Sequence, residues 1–365
     1  EHKAEIDAIV NCKEEPNFEN TILPYDKAGS LYSKVAVVFS SESGVNSSDA
    51  IMAISRELSP IQSAHFSEIS LNDALFQRIK AVYDKRETLG LDKDQMRLVE
   101  EIYKGFERSG ANLPADKKAE LKEVNAEISA LQLAFGQNLL KETAAYKLVI
   151  DNEKDLAGLS EAQIAEAASR AKAAGMEGKW IFGLDNPSIM PFLQNADNAE
   201  LREQMLNAYL MRGNNNNEND SKATIVKLVE LRLKKAQIMG CKNYAEYALD
   251  TRMAKTEEAV YNLLDQIWAP ALNVAKQEAP VMVQIIRREG LNDKLEAWDW
   301  RYYAQKVKAE KYNLDETTPI VAAGLSMGGQ SALIYTVKAK RTPVSCVVNC
   351  PVCDVEFHFT ERRDL

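Results

Sequence analysis

Apolar residues recur at steps of three and four along most of this chain, and near Glu316 that rhythm stops. Leu121, Val124, Ile128, Leu131, Phe135 and Leu139 form the clearest stripe, with Lys122, Glu123, Glu127 and Gln132 outside it. That spacing predicts a long amphipathic helix. Residues 1–115 read as further helices, separated by small-residue and polar breaks at 43–48 and 109–114. Residues 146–151 and 179–184 are short and rich in β-branched and aromatic side chains. They predict two strands that pair as a small ribbon inside a helical domain. Ser160 and Gln163 match the S-x-x-Q capping box, which opens an alanine-rich helix over 161–174.

The pattern continues with a polar tract, Asn214 to Asn217 followed by Glu218, Asn219 and Asp220. Asn and Asp favour caps, so this reads as a loop that caps a helix over 221–239; a recognition loop is the alternative. Helices are expected through 256–289, interrupted at Pro270 and Pro280. Trp298, Asp299, Trp300, Arg301, Tyr302 and Tyr303 open a last helix running to about Lys311. Such aromatic clusters are usually core, with a ligand platform as the alternative. No repeat of fixed period marks a helical solenoid.

Beyond Glu316 the pattern becomes strand, tight turn, helix, strand. Residues 319–323 form a buried-strand run, Gly324-Leu325-Ser326-Met327-Gly328 fits G-x-S-x-G, residues 329–333 open a helix, and residues 344–348 read as the next parallel strand. In that context the pattern denotes a nucleophile elbow, with Ser326 as nucleophile and the Met327 N–H as one oxyanion donor. Asp354 and His358 complete the order Ser, Asp, His, although a step of four from acid to base is short. A glycine turn whose serine does no chemistry is the competing reading. The strands that should precede an elbow are absent, which leaves the pair with bare edges. Cys346, Cys350, Cys353 and His358 offer a small structural zinc site, and Cys350 with Cys353 a C-x-x-C redox pair, as further alternatives.

Length and composition narrow the classes. At 365 residues the chain has room for two or more domains. It is 45% apolar and 27% charged, as in soluble globular proteins. A net charge of −9 without a basic stripe argues against nucleic acid. No run approaches the roughly 18 apolar residues of a membrane span. The first residue is Glu1 rather than Met, so an upstream segment is expected; a cytoplasmic setting is favoured, with the periplasm or export open. Five cysteines make no disulfide framework, and Cys12 and Cys241 read as isolated thiols.

Several stretches together carry a family resemblance. Phe18-Glu19-Asn20-Thr21-Ile22 with Lys27-Ala28-Gly29, Arg86 through Asp92 running on to Arg97-Leu98-Val99-Glu100, Arg252-Met253-Ala254-Lys255-Thr256, and Trp298-Asp299-Trp300 with Tyr303 and Glu310-Lys311-Tyr312 are similar to bacterial peptidyl-dipeptidases. The chain over about 1–315 thus resembles the thimet-oligopeptidase-like zinc metallopeptidases. The resemblance implies a mainly α, multi-helix enzyme split by a channel, acting on short peptides and releasing C-terminal dipeptides. It implies a zinc ion held by His-Glu-x-x-His and a later Glu, with the intervening Glu as general base. This chain has three histidines, His2, His65 and His358, followed by Lys3, Phe66 and Phe359, so none begins that motif. A lone His65 is expected to be a satisfied histidine rather than a metal ligand. No catalytic residue or zinc ligand transfers to these positions.

Residues 318–353 resemble part of an α/β-hydrolase. The expected organisation is therefore a helical region, 1–315, cut before the zinc motif, and an α/β-hydrolase-like fragment, 316–365. The expected function is that of the peptidase family without unaided activity. A serine hydrolase using Ser326, a non-catalytic peptide-binding domain and a chimeric sequence are the alternatives.

Overall fold

The computed structural model describes residues 1–291, 294–311, 321–325 and 345–349. The chain divides into two compact units, Glu1–Tyr302 and Tyr303–Leu365. The expected boundary near residue 316 lies outside the described residues. The mainly α class stands as expected, and no helix among the described residues is long and apolar enough to cross a membrane.

The first unit begins with α1 (His2–Asn11), a π-helical turn (Phe18–Ile22) that leads into α2 (Leu23–Lys27), then α3 (Ser30–Val45), α4 (Asp49–Ser70), α5 (Asp73–Lys85) and α6 (Lys93–Arg108). Caps set the starts. Asn17 and Asn20 exchange side-chain and backbone bonds of 2.8 and 3.0 Å at the π turn, and Asp92 and Gln95 do the same at α6. The polar break at 43–48 is shorter than expected: α3 runs to Val45, and Ser48 caps α4. Ile6, Ile22, Leu75, Phe76, Ile79, Val99 and Phe106 share one core. Arg78 ties α5 to the preceding loop. It donates to the Cys12 and Glu14 carbonyls at 2.9 and 3.2 Å, and to Asn20 and Thr21 side chains. α3 contributes no fully buried residue, and its Leu31, Val35 and Val38 face solvent.

The predicted long helix is α7 (Ala115–Ala145), 31 residues packed against α4. Of its stripe, Leu121 and Val124 are fully buried, while Ile128, Leu131, Phe135 and Leu139 are only partly covered. After it, β1 (Leu148–Ile150) precedes α8 (Glu161–Ala173), and β2 (Trp180–Phe182) follows. The two strands form the expected antiparallel ribbon, with Leu148 opposite Phe182 and Ile150 opposite Trp180. The Ser160–Gln163 box opens α8 as read from the sequence. α9 (Asn186–Asn195) and α10 (Ala199–Leu210) close a second core of Leu148, Ile150, Phe182, Ile189, Phe192 and Met205.

α11 (Lys222–Ile238) returns along α7, and α12 (Tyr244–Leu249) leads to α13 (Glu257–Arg288). Pro270 and Pro280 do not interrupt α13, contrary to expectation. Both prolines are exposed, so the carbonyls of Gln266 and Lys276, which lose their N–H partners, can turn to water while the helix continues. In the second unit β3 (Val321–Leu325) pairs in parallel with β4 (Ser345–Asn349), Val321 opposite Ser345 and Leu325 opposite Asn349.

The last helix, α14 (Trp300–Lys311), starts beside a buried ion pair. Arg202 of α10 is 1% exposed, and its Nη2 lies 2.5 Å from Asp299 Oδ1. Its Nη1 donates to the Ala196 and Asp197 carbonyls at 2.6 and 3.0 Å. The guanidinium also lies 4.0 Å from the centre of the Tyr302 ring, whose hydroxyl donates to Asp197 at 2.7 Å. A buried charge satisfied on this many sides is tolerated; stripped of its partner it is not. The aromatic cluster is core for Tyr302 and Tyr303, whereas Trp300 is partly exposed. Asp299→Ala is expected to destabilise the chain by about 3–5 kcal/mol, read as a lower urea midpoint at unchanged m-value; a loss below about 1 kcal/mol would contradict this account of the ion pair.

Candidate functional site

Ser326, Met327, Asp354 and His358, the residues predicted for hydrolase chemistry, lie outside the described residues, as do Cys350 and Cys353. Cys346 falls in β4, as expected. β3 ends at Leu325, so Ser326 follows directly on a strand with a parallel neighbour.

Among the described residues no group of three or more His, Cys, Asp or Glu is placed to hold a metal ion. His2 Nδ1 and His65 Nε2 face each other at 3.1 Å in a hydrogen bond that uses the lone pair of whichever ring accepts, and two histidines alone fall short of the three or four ligands zinc takes. Burial, then His65, pushes the His2 pKa below its ordinary value. His65 is thus a satisfied histidine, as its sequence context suggests. Glu5, nearby, accepts a 2.7 Å bond from the Gly29 N–H. Cys12 and Cys241 are free thiols, and burial raises the pKa of Cys241. The described residues do not fit the family's zinc centre.

The described residues do build a polar anchor and a cleft around the C-terminal end of α7. Glu142 is buried in the last turn of that helix. It accepts from the side chains of Asn217 and Asn215 and from the Gly213 N–H. The Asn217 bond contributes most to holding its carboxyl below the usual range, against the opposing effect of desolvation. The loop between α10 and α11 therefore hangs from α7. Lys222 Nζ gathers the same loop from outside, donating to Asn214, Asn216 and Asp220. Asp220 is held down to about 2, first by Lys222. Asn216 adopts a left-handed φ of 54°, which Asn tolerates better than most residues. Arg212 completes the anchor through a 2.9 Å bond to Thr143. The expected Asx cap exists in altered form. Ser221 at the N-cap position makes no side-chain cap bond, and Asp220 instead accepts from the Lys222 N–H at 3.0 Å.

Beside this anchor lies an open cleft of about 560 Å³, lined among others by Leu140, Tyr146, Lys147, Arg170, Ile181 and Asp185. Arg170 is already committed: it grips Asp185 at 2.6 and 3.1 Å and Glu166 at 2.7 and 3.2 Å. What remains is an apolar wall with the exposed Lys147 as its cation. That suits an uncharged or anionic chain segment lying along the cleft.

Sequence reasoning missed Glu142, Arg202 and Arg78. Arg202 carried a usable signal. It shares a helix face with Met205, and a charge in an apolar phase implies a buried partner. Glu142 carried none, because its partners are a loop 71 to 75 residues away in sequence.

Comparison with known proteins gives these features a context. Residues 192–336 match the family model of Peptidase family M3. The match begins in α9 and runs past Glu316, so Gly324 to Gly328 fall inside it. The chain is 35% identical over 314 residues to the dipeptidyl carboxypeptidase of Escherichia coli, covering 86% of this chain and 46% of that protein. It is 27% identical over 310 residues to a probable cytosolic oligopeptidase A of Arabidopsis thaliana, covering 83% and 44%. With oligopeptidase A of Salmonella typhimurium the identity is 26% over 318 residues, covering 86% and 47%. The chain spans about half the length of the curated relatives it matches. Some of the stretches quoted for the resemblance fall at helix starts, with Asn20, Asp92 and Thr256 in capping bonds, and one holds Asp299 of the buried ion pair. Family-model match and relatives together support the M3 peptidases as the family of this chain.

Proposed function

We propose that this chain supplies the peptide-binding side of an M3-type peptidase and performs no hydrolysis on its own. The observation that carries this reading is the similarity to a dipeptidyl carboxypeptidase along 86% of the chain. The absence of His-Glu-x-x-His from these 365 residues supports its second half. Zinc chemistry in such enzymes needs two histidines four apart on one helix face, with a glutamate between them to activate the metal-bound water. The apolar cleft at the end of α7 has the volume for a few peptide residues. Short peptides are the proposed partners, a cytoplasmic setting is proposed with them, and release of C-terminal dipeptides is the activity of the assembled enzyme. The proposed organisation keeps a helical region up to residue 315 and a separate tail after it.

A second reading rests on the parallel pairing of β3 with β4, which is the arrangement an α/β-hydrolase elbow requires. In it Ser326 is the nucleophile, the Met327 N–H an oxyanion donor, and Asp354 and His358 the acid and base. The reading gains little from the comparisons, since the M3 match covers the elbow.

Calorimetry with short peptides is expected to show saturable binding, and zinc-supplemented assays no dipeptide release. Metal-dependent turnover by the purified chain would overturn the first reading, and absence of any binding heat would remove its peptide-binding half. For the second, a fluorophosphonate probe is expected to leave the chain unlabelled; labelling lost in Ser326→Ala would establish the serine hydrolase instead.

A further inference from the structure

The ribbon of β1 and β2 is covered along one strand and open along the other. α8 packs along β2. Beside β1 stand β2 and the 3-10 turn Glu153–Leu156 that continues its own chain. Exposure alternates along β1. Leu148 and Ile150 are buried, Val149 between them is 38% exposed, and Lys147 just before them is exposed.

The register decides which backbone groups of β1 are left over. Opposed residues of an antiparallel pair alternate between exchanging both backbone bonds and exchanging none. Lys147 and Gly183 are the next opposed pair beyond Leu148 and Phe182, and they exchange none. The Gly183 N–H donates to Ser188 Oγ at 3.0 Å instead. The bonds of the ribbon therefore fall to Leu148 with Phe182 and to Ile150 with Trp180. The N–H and C=O of Val149, like those of Lys147, point away from β2. Among the described residues no hydrogen bond reaches these groups. Bare donors and acceptors along a strand edge are a template for another extended chain.

The side chains indicate what kind of chain. Lys147 and Val149 share one face of the ribbon with Ile181 and Gly183, and Lys147, Ile181 and Gly183 line the cleft at the end of α7. Residues of an added strand that stand opposite Lys147 and Val149 place their side chains on that same face. Lys147 has no ion pair among the described residues, so a carboxylate complements it there. Val149 is complemented by an apolar side chain.

We propose that β1 takes up an extended peptide as a third strand, bonded to the backbone of Val149 and Lys147. An acidic residue of the peptide stands opposite Lys147, and an apolar one two positions away stands opposite Val149. The added strand rests on the peptide-binding reading above. A strand of three residues spans about 10 Å and offers few bonds, so the peptide is held weakly and reversibly.

Calorimetry of the full chain with a capped six-residue peptide, carrying a valine and a glutamate two positions apart, reads this directly. A methyl group is placed on each backbone nitrogen of the peptide in turn. Nitrogens that face β1 alternate with nitrogens that face solvent. Affinity is therefore expected to fall about five- to tenfold at alternate central positions and to hold at those between. Val149→Pro removes the edge N–H without removing a ribbon bond. It should weaken binding by a similar factor while far-UV circular dichroism stays unchanged. Lys147→Glu should shift the preference from the glutamate peptide toward its lysine analogue by about two- to fivefold. If no peptide gives a binding heat, the peptide-binding reading falls and the added strand with it. Binding that is indifferent to the methyl groups, or equally sensitive at every position, leaves that reading standing and overturns the added strand. The methyl series decides this even where Val149→Pro fails to fold. An unchanged preference in Lys147→Glu overturns the placement of the acidic residue.

Discussion

A helix of 31 residues is about 46 Å long, and water can solvate only one side of it if the other is apolar. α7 meets this constraint by lying against α4 and α11, elements more than 100 residues apart in sequence. Its far end then faces a second problem, a carboxylate in a place water hardly reaches. Glu142 is acceptable there only because three N–H donors from one loop converge on it. The loop cannot shift without stripping a buried charge. The order of the segment that joins α10 to α11, and of the cleft wall beside it, is therefore tied to one side chain. Arg202 does the same for the start of α14, with the charges reversed.

These anchors explain what the sequence displayed and what it withheld. Local rules worked where the cause is local. The three-and-four spacing gave α7, the alternation and β-branched content gave the ribbon of β1 and β2, and Ser160 with Gln163 gave the start of α8. They failed where solvent decides, as at Pro270 and Pro280. A proline breaks a buried helix but can sit in an exposed one whose freed carbonyls find water. They failed again for Glu142, since nothing near it in sequence announces a buried carboxylate. The apolar periodicity of α7 and α13 also overstated burial, because spacing reports a face that can be covered and not whether this chain covers it.

The candidate site divides along the same line. Part of the family resemblance lay in stretches that hold helix caps and one side of the buried ion pair, which are features of a frame. Frames persist over long stretches of sequence and are legible in it. Catalytic chemistry rests on few residues, and none of the three histidines in these 365 residues begins a His-Glu-x-x-His. The two described histidines share one hydrogen bond, His2 Nδ1 to His65 Nε2.

The anchorage of the loop at Glu142 is the claim most open to direct test. The folded state holds the Glu142 pKa below its ordinary value of 4.5, so its contribution is complete above that pH and is lost as the pH falls through the lowered value. Glu142→Gln imposes the uncharged state at neutral pH and turns an amide donor toward Asn215 and Asn217. Hydrogen–deuterium exchange at pH 7 is the measurement. The account predicts that amides of residues 213–221 exchange about tenfold faster or more in this variant, equivalent to about 1.4 kcal/mol, while those of Leu75 and Ile79 in the core of α5 keep their protection. Unchanged exchange in the loop would contradict it.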